Sequence, residues 1–182
     1  MVPMGVMHVN NLIPDVSQPI IPGVRGAGFS LGADLHETLA QIGNISWIES
    51  NSKLNCKLKN NLKWIGVNSQ CRPANSATTT IHSLIFGNYI VSLDFGQTNK
   101  LYRILVGKGY TGTFNKTGVG DNLSSLKKQY EIEFNDMDDE FTLSNNSIHV
   151  YGISFITNYR ISLEHVPDQT IEYISIHDWS LQ

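Results

Sequence analysis

Basic charge is scarce in this chain. Lys and Arg number 13 against 16 Asp and Glu, the formal net charge is −3, and charged residues make up only 16% of the sequence. Affinity for nucleic acid comes largely from neutralising phosphates, so general nucleic-acid binding is not expected. Cysteine is scarcer still, with Cys56 and Cys71 alone. They are too far apart for a C-x-x-C redox pair and have no second pair to complete a zinc site. Two independent thiols or one disulfide both remain open, and a disulfide would imply an oxidising compartment. No apolar run approaches the roughly 20 residues of a membrane helix. The start, "MVPMGVMHVNNLIPDV", lacks the basic-then-apolar order of a signal peptide. The expectation is a single soluble domain over 1–182, cytoplasmic, binding neither membrane nor nucleic acid.

Motifs of catalysis are missing too. "GVRGAGFSLG" has no G-K-[ST] ending, and the lysines of "GKGYTGTFNKTGVGDN" have the wrong spacing for a phosphate loop. His8, His36, His82, His149, His165 and His177 form no H-E-x-x-H, so no metal site and no cofactor are expected. His177 and Asp178 are a candidate base and orienting acid, but neighbours on a strand point to opposite faces unless the strand ends there. Cys56 is a second candidate nucleophile. These residues define the alternative reading, a small cytoplasmic hydrolase.

What is present is hydrophobic patterning. Residues 1–30 carry Pro and Gly and read as loop or extended chain. "GADLHETLAQIG" places Leu35, Leu39 and Ile42 on one helical face, with Asp34 as cap and Gly43 as stop. "ISWIES", "LKWIGV", "TTTIHSLIF", "YIVSLDF" and "LYRILV" read as strands, with a hairpin turn over Gly96 to Asn99. A second helix is expected at "GDNLSSLKKQY", where Leu123, Leu126 and Tyr130 follow Asp121. Strands resume at "YEIEF", "EFTLS", "SIHVYGISFI", "YRISLEH" and "TIEYISIHDW". Trp47, Trp64, Trp179, Tyr102, Tyr110 and Tyr151 are either core residues or interface anchors.

The halves echo one another. The Gly-x-x-Leu of 32–35 returns at 120–123, and each short helix is followed by strands. Self-similarity of this kind predicts internal repeats, approximately 30–106 and 118–178. The expected fold class is α+β, with two tandem helix-plus-antiparallel-strand repeats and the short helices on one face of an antiparallel sheet.

The run from Gly28 to Gly43, echoed from Gly118 to Tyr130, resembles the helical lead of tandem-repeat β-lactamase-inhibitory-protein-like domains. The second half, with "GVGDNLSSLKKQY" and "NDMDDEF", also resembles small bacterial immunity proteins of contact-dependent and polymorphic toxin systems. That resemblance implies a protein that neutralises a cognate toxin by occluding its active site, and implies no catalytic residues. The stretch "IEFNDMDDEF" then gains a role. Glu133, Asp136, Asp138, Asp139 and Glu140 lie together with no base among them. Clustered oxygens suit calcium, but the glycine of an EF-hand loop is missing. A solvated turn and a surface for a basic partner both remain, and the second makes these five the candidate partner-binding residues. A nuclease toxin, with a basic cleft for its substrate, fits such a surface.

Overall fold

The computed structural model describes residues 12–50, 62–71 and 78–182. Twelve strands form among the described residues. β1 (Arg25–Gly26) and β2 (Phe29–Ser30) make a small hairpin. β3 (Ser46–Glu49), β4 (Trp64–Cys71), β5 (Thr79–Phe86), β6 (Val91–Phe95) and β7 (Leu101–Val106) follow the helix α1 (Leu35–Ile42). β8 (Glu131–Asn135), β9 (Glu140–Asn145), β10 (Ile148–His149), β11 (Ile153–Thr157) and β12 (Ile171–His177) complete the set. Strands β3 to β12 join in one ten-stranded sheet. Starting from one edge, β8 pairs β9, β9 pairs both β10 and β11, and the order continues β12, β7, β6, β5, β4, β3. Every pairing is antiparallel except β3 with β4, which is parallel.

This overturns the α+β repeat expectation. The chain is mostly β, and the second expected helix is a 3₁₀ turn, Leu123–Lys128. Leu123 and Leu126 are buried, so the apolar spacing was real. Three-residue spacing is equally served by a 3₁₀ turn, and Ser124 and Ser125 do little to extend it into an α-helix. Without a second α-helix the halves are not two copies of one helix-plus-strand unit. They share a single sheet, because β12 inserts between β7 and β11. "YRISLEH" is no strand either. Arg160 has φ +51°, and the amides of His165 and Val166 bond the Ser162 carbonyl in a turn.

The first helix forms where Asp34 caps it. Its carboxylate accepts from the amides of His36 at 2.9 Å and Glu37 at 3.5 Å, and Gly43 ends it at φ +89°. Leu35, Thr38 and Ile42 face inward. The helix, the β1–β2 hairpin and the loops of 107–122 cover one face of the sheet. Under them lie Leu84, Phe86, Leu93, Phe95, Ile104, Phe141, Phe155, Ile174 and Ile176. Tyr110 pins this cover from within, donating to the Gln18 carbonyl at 2.5 Å and accepting from the Ala27 amide at 3.1 Å. Trp64 adds a bond to the Leu12 carbonyl at 2.8 Å. Among the described residues, no helix is long and apolar enough to cross a membrane.

Candidate functional site

The other face of the sheet carries the polar groups. Alternation along each strand sends every second side chain there. The pairing register aligns Ile48, Val67, Ser83, Asp94, Arg103 and His177 in one row across six strands, β3 to β7 and β12. At the β3–β5 end the row is apolar: Ile65, Val67 and Ile85 form a small cluster with Ile48 and Tyr89. At its centre it is ionic. Arg103 donates from Nε and a terminal nitrogen to Asp94, both at 2.7 Å, and Ser83 donates to the other carboxylate oxygen at 2.6 Å. Burial is the largest influence and lowers the Arg103 pKa, but the charge and hydrogen bond of Asp94, with Tyr102 and Glu140, together outweigh it, and the net shift is upward.

His177 lies on the far side of Arg103 and opens onto a cleft of about 600 Å³. Asp138, Glu140, His149, Ser154, His177 and Asp178 are among its polar lining, with Tyr151 and Trp179 at its walls. Among the described residues, no Lys or Arg lines it. Glu140 accepts from the buried Ser154 hydroxyl. The His177 ring stacks on Trp179 with centroids 4.6 Å apart, and Trp179 leans on Tyr102 at 5.6 Å. Burial, then Arg103 and His149, lower the His177 pKa to about 4, with Asp178 opposing weakly. The imidazole is therefore neutral at neutral pH.

β12 ends at His177, so His177 and Asp178 both reach the cleft. They do not form a base-and-acid pair. Asp178 instead accepts from the Ser180 amide at 3.0 Å and its hydroxyl at 2.6 Å, capping the 3₁₀ turn Trp179–Leu181. Those bonds hold its carboxyl below the usual range. Cys56 and the side chain of Cys71 lie outside the described residues, as does His8. His36 and His165 are exposed, and His82 accepts or donates at Asn68 at 2.9 Å. Among the described residues no three His, Cys, Asp or Glu side chains are placed to share a metal ion.

The five acidic candidates divide. Glu133 sits mid-strand on β8 opposite Thr142, exposed on the polar face. Asp136, Asp138 and Asp139 make the β8–β9 turn, with Asn135 donating to Asp138 at 2.8 Å. Glu140 opens β9 and is half-buried. Of the five, Asp138 and Glu140 line the cleft, while Glu133, Asp136 and Asp139 do not. None joins an ion pair among the described residues. Met137, at the tip of the turn, is 89% exposed, and Tyr151 and Ile148 nearby in sequence on β10–β11 are 78% and 71% exposed. Of the six aromatics singled out, Trp64, Tyr102 and Tyr110 are core, while Trp47, Tyr151 and Trp179 are exposed.

No protein-family model, curated protein or solved structure matches the chain.

Sequence reasoning missed Asp94, Arg103, His149 and Ser154. The first two had a signal. "VSLDF" alternates apolar and polar residues, so Ser92 and Asp94 share the face away from the core. The hairpin turn at 96–99 then fixes Asp94 opposite Arg103. His149 and Ser154 belong to strands separated by an irregular step at 150–152, which no periodicity reveals.

Proposed function

We propose that the chain acts by binding rather than catalysis, as an immunity-type protein that occludes the basic active-site cleft of a protein toxin in the cytoplasm. One observation carries this reading. Asp138, Glu140 and Asp178 share a cleft that no Lys or Arg lines among the described residues, and the exposed aromatic residues Tyr151 and Trp179 stand beside them. Aromatic anchors supply contact area, while carboxylates that join no ion pair among the described residues steer and register a basic partner. Glu133, Asp136 and Asp139 extend the same charge beyond the cleft. A small hydrolase has less support, because Asp178 is bonded to Ser180 and leaves His177 without an orienting acid.

The test is genetic and physical. The protein encoded by the neighbouring gene is produced in a host with and without this chain. Restored growth together with a stoichiometric complex supports the proposal. A toxic neighbour that this chain neither binds nor restrains, or a harmless neighbour, overturns it.

A further inference from the structure

The sheet has an open end. β8 pairs β9 on one side, and among the described residues no strand, bridge or backbone hydrogen bond meets its other side. In an antiparallel ladder alternate residues turn their N–H and C=O groups outward. Alternate residues among the five of β8 thus present unpaired donors and acceptors, a template for one more strand. Side chains choose the strand. Glu131, Glu133 and Asn135 stand on the polar face, opposite Ser144, Thr142 and Glu140. Ile132 and Phe134 pack on the core side. Lys127 and Lys128 belong to the turn before the strand and leave the ladder itself without a base.

We propose that the outer edge of β8 takes a strand of a partner protein that carries Lys or Arg at alternate positions, extending the sheet. This rests on the binding function proposed above and gives it a mode: main-chain bonds supply affinity, and the basic side chains meet Glu131 and Glu133. A second copy of this chain is the wrong occupant. Antiparallel pairing of two β8 strands about their midpoint sets Glu133 against Glu133, and like charges directly opposite are destabilising. The acidic turn at 136–139 continues the same surface past the end of the strand, so a basic strand finds favourable charge along its length.

The probe is a synthetic peptide alternating Lys and Val, compared with the same peptide carrying Glu for Lys. Hydrogen exchange of the full chain is followed residue by residue. Alternate amides within 131–135 should slow about tenfold with the Lys peptide and stay unchanged with the Glu peptide. The Glu131→Lys, Glu133→Lys double variant, checked for an unchanged melting temperature, should reverse that preference. Protection of Ser154 and His177 instead, protection nowhere, or a chain that is already dimeric with these amides slow would each overturn the inference. The two proposals separate cleanly. A neighbouring-gene product that is restrained without slowing these amides refutes the edge and spares the function. A peptide that slows them, with no bound neighbour, does the reverse.

Discussion

Arg103 holds Asp94 through two nitrogens, each 2.7 Å from the same carboxylate oxygen, and the carboxylate is the more deeply buried partner, 5% exposed against 30%. Removing the cation therefore strands the charge that water reaches least. Arg103→Met should cost about 3–5 kcal/mol. Asp94→Asn keeps the hydrogen-bonding shape and leaves a cation that can reach solvent, so about 2 kcal/mol is expected. Urea unfolding of the two variants checks the order. If the Asp94 variant is the weaker protein, the account of the pair is wrong.

His177 gives the fold a pH dependence. An unfolded imidazole has its pKa near 6.5, while this one is lowered to about 4 by burial and by Arg103 and His149. Between those values the unfolded chain takes a proton that the folded chain refuses. Stability should fall as pH drops from 6.5 towards 4 and flatten below, with about 1–2 kcal/mol lost after solvent screening at this partly open site. His177→Phe should remove that part of the slope. An NMR titration placing His177 near its ordinary pKa would refute the prediction.

Charge reversal at the turn should spare the fold. Asp136→Lys with Asp138→Lys touches exposed side chains and one surface hydrogen bond, so stability should change by only about 0.5 kcal/mol. Association with a basic toxin should slow about tenfold at low salt, and the gap should narrow as salt rises. Stopped-flow rates at two ionic strengths decide it. Equal rates for both proteins would return the turn to a solvated connector.

Gly152 is a structural joint beside the cleft. Its carbonyl accepts from the amides of Gly23 at 2.9 Å and His177 at 3.1 Å. Its φ is +79°, and a Cβ there would run into the Gly23 backbone. Gly152→Ala should cost about 3 kcal/mol, from overpacking and left-handed strain together. Thermal unfolding measures the loss, and a displaced His177–Trp179 stack should show as altered tryptophan fluorescence. A variant as stable as the parent would mean the two segments can separate freely.

The strands are legible where apolar and polar side chains alternate, as in β6, and α1 where Asp34 and Gly43 mark its ends. The 3₁₀ turn is not separable from an α-helix in the sequence, because Leu123 and Leu126 satisfy either helical form. "YRISLEH" looked like a strand by composition, yet Arg160 adopts a left-handed backbone that no strand contains. The cleft was only half legible. Asp138, Glu140 and Asp178 stood out as carboxylates, but their meeting depends on β9, β11 and β12 lying side by side. Local sequence does not encode that neighbourhood.

The position of β12 bears on how this protein is made. During synthesis β3 to β7 and then β8 to β11 leave the ribosome before β12 exists. Each group then shows a raw hydrophobic margin, β7 in one and β11 in the other, and the two have no strand to join them. Only when Ile171–His177 arrives do both margins close in a single step. A nascent chain stalled before that point is a pair of sticky half-sheets, and its hazard is aggregation rather than loss of binding.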